Sequence, residues 1–225
     1  MRSSLQRSRV LLCILAVALL ASAGFAAGLS VSPAQVADNY QGAVTINITG
    51  LSAGQSVLLE RYIDVNGNGV VDAGEPCVIS LPLTDGNIPT IGGVRNTNVP
   101  GDEDGAVNGQ IQAVRRFPGL DSLLERITAS SLYRVSDPAT GSTLATAAFA
   151  VTPAALPQGI HGHITAQSGG AAIPYAIVVA LTPQDGRGCA GTLAGADGSY
   201  TLYVDPGTYV VLAVSDGFTG SMGSG

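Results

Sequence analysis

Asp64, Asn66, Asn68, Asp72 and Glu75 are spaced as a set of hard oxygen ligands, with Val70 offering a backbone carbonyl between them. The stretch Asp64-Val65-Asn66-Gly67-Asn68-Gly69-Val70-Val71-Asp72-Ala73-Gly74-Glu75 fits D-x-[DN]-x-[DN]-G-x5-E, a loop that wraps one calcium ion. Calcium takes about six to eight oxygens, so donors at alternate positions of a tight loop are what it requires. Asp64, Asn66 and Asn68 supply side-chain oxygens, Asp72 binds directly or through water, and Glu75 closes the shell with two oxygens. Gly69 sits where the chain must turn sharply, and Val71 is an apolar peg. Three carboxylates and two amides predict an affinity of about 10⁻⁴–10⁻³ M, the range of extracellular modules. At roughly millimolar calcium such a site adds about 0.4–1.4 kcal/mol of stability. That stiffens a loop without making a switch.

The flanks decide what kind of calcium loop this is. Pro76-Cys77-Val78-Ile79-Ser80-Leu81-Pro82-Leu83 is rich in β-branched residues and broken by two prolines, which predicts a strand. Ser56 to Ile63 follows Gly54 closely and is too short for a convincing helix. The stretch therefore resembles an EF-hand loop set between two strands, without the helices of an EF-hand domain.

Residues 1–23 read as a secretory signal peptide. Arg2, Arg7 and Arg9 form its basic head, Val10 to Leu20 its apolar run, and Ala21-Ser22-Ala23 a small-residue cleavage site. The run is too short to span a bilayer, and no later stretch replaces it. The expectation is a secreted or cell-surface protein with no membrane span after cleavage. Cys13 leaves with the peptide. All 10 basic residues are arginine, and losing three leaves seven against 16 acids, a net charge near −9. An acidic, lysine-free surface disfavours nucleic acid and anionic membranes as partners.

Charged residues make up 12% of the chain, against roughly 25% in ordinary domains, and there are 30 glycines and 12 prolines. This composition predicts an all-β fold of short strands and tight turns. Residues 24–152 read as one β-sandwich domain of immunoglobulin-like architecture. Its strands are Leu29–Pro33, Ala43–Thr49, the pair flanking the calcium loop, Ala106–Arg116, Ser131–Val135 and Thr143–Val151, with one or two helical turns within Leu120–Ile127. Two loops invite chemistry. Pro100-Gly101-Asp102-Glu103-Asp104-Gly105 is acidic, but its spacing matches no calcium shell, and it reads as a solvated loop. Gly50-Leu51-Ser52-Ala53-Gly54 matches the G-x-S-x-G nucleophile turn, which needs a strand–turn–helix context; a strand follows here, so the match is accidental. Asn47-Ile48-Thr49 is formally a glycosylation sequon but lies within a strand.

Residues 153–159 form a stiff, proline-punctuated linker. Beyond it come Ile160-His161-Gly162-His163-Ile164, Ile173 to Leu181, Asp197-Gly198-Ser199-Tyr200-Thr201-Leu202 and Pro206-Gly207-Thr208-Tyr209-Val210-Val211, then Gly217-Phe218. In this order they resemble the opening strand, second strand, D-G-x-Y hairpin, P-G-x-Y strand and Gly-Tyr position of a carboxypeptidase regulatory-like domain. The resemblance implies a second, transthyretin-like β-sandwich over 160–225, grouped with starch-binding-like folds, in which Tyr200 and Tyr209 help form the core. It carries over no peptidase chemistry. The family continues with further strands, so the resemblance implies an incomplete domain: a fragment of a longer protein, or a subunit that completes its sheet by donor-strand pairing.

His161 and His163 lie at i and i+2, but no third or fourth ligand accompanies them, and both read as outward surface residues. Cys77 and Cys189 fall one in each domain and read as separate buried thiols rather than a bridge. Three function classes remain. The leading one is a secreted, non-catalytic structural or interaction protein with one structural calcium, whose partners are surface or matrix proteins or further copies of itself. The second is a carbohydrate-binding module, or accessory domains of a larger secreted enzyme, with polysaccharide as partner. No Trp and only 4 Phe and 7 Tyr weigh against it. An enzyme ranks last, because no acid–base pair, triad or metal shell for catalysis can be assembled.

Overall fold

Strands with one apolar face form because alternate side chains point to opposite faces of a pleated sheet. The computed structural model consists almost entirely of such strands; it describes residues 26–95, 99–118, 123–218 and 222–224. The signal-peptide reading, 1–23, lies outside the described residues. Strands β1 (Gly28–Ser32), β2 (Gln35–Ala37), β3 (Ala43–Thr49), β4 (Ser56–Ile63) and β5 (Cys77–Thr84) come first. A small flap follows, formed by β6 (Thr90–Ile91) and β7 (Val94–Arg95), and then β8 (Ile111–Arg116), β9 (Ala129–Ser136) and β10 (Thr143–Thr152). A three-stranded sheet, β1-β3-β8, packs on a five-stranded sheet, β2-β10-β9-β4-β5. In β3 the apolar members Val44, Ile46 and Ile48 are fully buried, and they meet Leu59, Tyr133, Val135, Phe149 and Val151 from the other sheet. Each such side chain contributes about 1.5–3 kcal/mol, and a one-residue slip would turn the whole set to solvent.

The rest of the chain holds β11 (Gln158–His163), β12 (Ile177–Leu181), β13 (Gly188–Leu193), β14 (Ser199–Val204), β15 (Val210–Val214) and β16 (Met222–Ser224). They form a two-stranded sheet, β11-β14, and a four-stranded sheet, β13-β12-β15-β16. Val178, Ala180, Ala190, Ala194, Leu202 and Val204 fill this core, with Tyr200 and Tyr209 half-buried against it.

Several elements differ from the sequence reading, each for a local reason. The expected strand 106–116 begins only at Ile111, because the Asp104 carboxylate draws residues 106–108 into a turn. The expected strand 173–181 begins only at Ile177, after a turn in which Tyr175 adopts φ 57°. Asp197-Gly198 closes no hairpin within one sheet: it carries the chain from β13, paired with β12, across to β14, paired with β11. Gly198 has φ +78°, and a Cβ there would meet the Ile164 carbonyl oxygen at 2.5 Å. β13 itself, with its small residues, went unread. After Phe218, where the family resemblance left the sheet unclosed, β16 pairs with β15. The linker is tied down, since Ala154 is buried and its N–H donates to Asp38 Oδ1 at 2.9 Å. Within Leu120–Ile127 the described helix is one 3₁₀ turn, Leu124–Arg126.

That short turn joins the two groups of sheets. Glu125 is buried beside Arg115, whose Nη2 donates to Oε1 at 2.8 Å, and Arg61 Nη2 donates to the Glu125 carbonyl at 2.8 Å. The turn so held presents Leu123 and Ile127 to β13 at Gly188 and Gly191, where an added Cβ would lie 2.5 Å from either side chain. Thr128 then bridges Thr192 and donates its N–H to the Gly191 carbonyl at 2.9 Å. Around this contact Ile63, Ile127 and Val179 are buried, with Val65, Leu123, Ile177 and Leu193 packed against them. Removing one partner of a buried ion pair strands the other's charge. Glu125→Ala is expected to lower stability by about 3–5 kcal/mol, and Arg115→Met added to it to cost much less than the two changes summed, as urea unfolding will measure.

Candidate metal centre

The 64–75 loop leaves β4 and returns into β5, so two strands and no helix flank it. Its neck is closed by the Ile63 N–H on the Pro76 carbonyl at 3.0 Å, and the Asp64 N–H is fixed to the Ser130 carbonyl at 3.0 Å. Asp64 is buried, and its carboxylate accepts the Asn68 N–H at 3.1 Å and the Gly69 N–H at 3.0 Å. Asn66 Oδ1 accepts the Asn68 N–H at 3.0 Å, and Asn68 Oδ1 the Val70 N–H at 2.8 Å. Glu75 reaches back over the loop, where Oε1 accepts the Val65 N–H and Oε2 the Asp72 N–H, both at 3.0 Å. Gly69 has φ +75°, the left-handed turn its position demands, and the Val70 side chain is 58% exposed, leaving its backbone to the loop.

Five of the six expected ligand residues thus direct side-chain oxygens across one loop, while Val70 contributes backbone. Each asparagine Oδ1 has one lone pair engaged by an N–H and a second to give. Asp72 Oδ2 receives Nδ2 of Asn66 at 2.8 Å and of Asn68 at 2.7 Å, and these bonds hold its carboxyl below the usual range. It is an anion at any ordinary pH, and a cation entering the loop would replace those two amide contacts. Among the described residues no three His, Cys, Asp or Glu side chains gather as a metal cluster. The donor set here instead mixes carboxylates, amides and backbone, the hard oxygen chemistry that suits calcium and not zinc.

The carboxylates at the opposite end of the β4–β5 pair have different work. Asp85, 2% exposed, accepts the N–H groups of Gly54 at 2.6 Å, Gly109 at 2.9 Å and Asn108 at 3.2 Å. Asp102, fully buried, accepts those of Gly86 at 2.8 Å and Gln112 at 3.1 Å. The acidic turn is therefore partly interior: it staples loops together, where the sequence read a solvated loop. The Gly50–Gly54 turn is one of the stapled loops, and it leads into β4.

His161 and His163 are exposed, and His161 Nδ1 pairs with Thr201 Oγ1 at 3.0 Å. Cys77 is exposed and Cys189 half-buried, both as free thiols; the reading of two separate thiols stands, that of burial does not. Cys77 opens an edge strand and Cys189 sits in a strand half-covered by Leu123, so neither is in a closed core. At the seam between the sheet groups, Thr128, Thr152, Thr192, Ser199 and Tyr203 line an open hollow of about 440 Å³. Tyr203, 40% exposed, also borders a second hollow along Pro153–Pro157. Phe218 lines a separate hollow with Ile164 and Ile173. No helix among the described residues is long and apolar enough to cross a membrane, which leaves strand-built spans unaddressed.

No family model matches the chain, and no curated protein matches it in sequence. Among solved structures, macromomycin overlaps 57% of this chain and all of its own at 19% identity and TM-score 0.31. Native alpha-2-macroglobulin from Escherichia coli, domains NIE to MG1, overlaps 88% of this chain and 96% of its own at 11% identity and TM-score 0.28. Red sea bream transglutaminase overlaps all of this chain at 10% identity and TM-score 0.28, and this chain spans 32% of its length. Similarities this low assign neither family nor activity.

Burial pushes the Asp85 carboxyl up, but its backbone N–H bonds outweigh that and hold it below the usual carboxylate range. The stabilisation is therefore complete above the unfolded value of about 3.9 and is lost as pH falls through the lower folded one. Asp85→Asn is expected to lower stability by about 1–3 kcal/mol at neutral pH. In urea unfolding from pH 8 downward the gap to wild type stays constant to about pH 5 and narrows only below about pH 4.

Proposed function

We propose that this chain is a secreted or cell-surface, non-catalytic structural or interaction protein of two β-sandwich units, stiffened by one calcium ion. The units are the immunoglobulin-like 24–152 and the transthyretin-like 160–225, joined by 153–159. The observation that carries the reading is the 64–75 loop, whose expected donors are already folded across it. Bound there, calcium would supply a double positive charge against three carboxylates, leaving one net negative charge. Asp64, Asn66, Asn68, Asp72, Glu75 and the Val70 carbonyl hold it. The secretory segment 1–23 and the calcium affinity expected of an extracellular module agree with each other.

The place of the loop gives the ion its use. Ile63 and Val65, at its first turn, pack against Val179 and Ile177 of the second unit. Fixing the Val65 N–H through Glu75 therefore stiffens the seam as well as the loop. A second reading, a carbohydrate-binding module, draws on one observation: Tyr203 stands exposed over the hydroxyl-lined hollow at that seam.

Calorimetric titration of residues 24–225 is expected to show one calcium site of about 10⁻⁴–10⁻³ M, lost in Asp64→Ala and in Glu75→Ala. Melting should rise by about 1–6 °C at millimolar calcium. No heat and no melting shift would reduce the loop to a turn, and oligosaccharide binding lost in Tyr203→Ala would favour the second reading.

A further inference from the structure

Three asparagines in this chain stand directly before a glycine: Asn66-Gly67, Asn68-Gly69 and Asn108-Gly109. Such a pair can react with itself, because glycine has no side chain to shield its backbone nitrogen from the preceding carboxamide. The fold sets all three in nearly the same local geometry. Each asparagine is exposed, and each glycine is left-handed, with φ of 69°, 75° and 79°. Each Oδ1 accepts the N–H two residues on, from Asn68 at 3.0 Å, Val70 at 2.8 Å and Gln110 at 2.8 Å. That turn folds the carboxamide forward along the chain, and the bonded N–H favours negative charge growing on Oδ1.

What separates the three is the nucleophile. The Gly69 N–H is held by Asp64 Oδ2 at 3.0 Å, and the Gly109 N–H by Asp85 Oδ2 at 2.9 Å. Gly109 is also buried, and a Cβ there would lie 2.5 Å from the Leu51 carbonyl oxygen. The Gly67 N–H has no hydrogen-bond partner among the described residues, and a Cβ there would meet nothing within 4 Å.

We propose that Asn66-Gly67 is a self-modification site, at which the chain converts its own carboxamide to a carboxylate. The Gly67 nitrogen bonds to Asn66 Cγ and gives its proton to solvent, the Cγ–Nδ2 bond breaks, and ammonia leaves. Water then opens the five-membered succinimide ring. Cleavage of the new N–Cγ bond yields aspartate at position 66, and cleavage of the original peptide bond yields isoaspartate. The aspartate sets two carboxylates face to face where Asn66 now donates to Asp72, so the loop without a cation loses stability. Resting on the calcium reading above, the same change takes the ligand set from three carboxylates to four, and affinity rises with ligand charge. Isoaspartate instead lengthens the backbone by one carbon and breaks the ligand spacing.

Peptide mapping by mass spectrometry tests the site on the full chain aged in mildly alkaline buffer, with EDTA present so that calcium plays no part. Asn66 is expected to convert first, to aspartate and isoaspartate. Asn68 and Asn108 should lag by about 10–100-fold, because a hydrogen bond to a carboxylate must break before attack. In urea the three should convert alike, and Asp64→Ala, which frees the Gly69 N–H, should bring Asn68 towards the rate of Asn66. Conversion of Asn68 or Asn108 as fast as Asn66 in the folded chain, or an Asn66 that stays intact while the urea sample converts, overturns the proposal. Calorimetry of Asn66→Asp reads the consequence separately. Calcium binding several-fold tighter than wild type is expected, and equal affinity contradicts it. No heat from either protein fails the calcium reading, and the mass spectra alone then decide the site.

Discussion

Glu125 is the group on which the arrangement of the molecule turns. Its carboxylate neutralises Arg115 in the first core, and its carbonyl takes a hydrogen bond from Arg61. A single 3₁₀ turn has little intrinsic stability, since short helices are marginal in water. Here the buried ion pair fixes it, and so fixes the positions of Leu123, Ile127 and Thr128. Those three side chains are what β13 meets, and β13 can meet them closely because Gly188 and Gly191 carry no side chain. The contact between the two groups of sheets thus rests on a charge interaction inside one of them.

The acidic composition resolves into three uses of a carboxylate. Glu125 compensates a buried arginine. Asp85 and Asp102 replace missing strand partners, accepting N–H groups that would otherwise be orphaned in loops. Asp64, Asp72 and Glu75 each accept N–H or amide donors of one tight loop that also holds two asparagines. Only the last arrangement mixes carboxylate and amide oxygens within one twelve-residue loop, the amides with a lone pair to spare. That donor chemistry, rather than negative charge, separates the proposed cation loop from the structural staples.

Much of this was legible in the residues. The alternation in Ala43–Thr49 marked a half-buried strand, Ser56–Ile63 was too short for a convincing helix, and the prolines after Glu75 excluded a helix beyond the calcium loop. The all-β sandwich character followed from such patterns. What was not legible depended on partners distant in the chain. Ala106 to Gly109 looks like strand until Asp85, more than twenty residues earlier, takes two of its N–H groups. β13 opens with Gly188, Cys189, Ala190 and Gly191, too small to show a period, and it becomes a strand because β12 pairs with it. Val65 reads as a loop residue and proves to be a seam residue. Arg61 sits in an apolar strand, where nothing local foretells two phenylalanine neighbours.

The central claim is that calcium in the 64–75 loop stiffens the seam through Val65. Hydrogen exchange of residues 24–225, with and without calcium, tests it most directly. Slower exchange in 63–76 and, beyond it, in 177–181 and 190–193, with β3 and β8 unchanged, is the result predicted. Exchange that calcium leaves unaltered, or slows only within 63–76, would contradict the account, the first by removing the ion and the second by confining it to its loop.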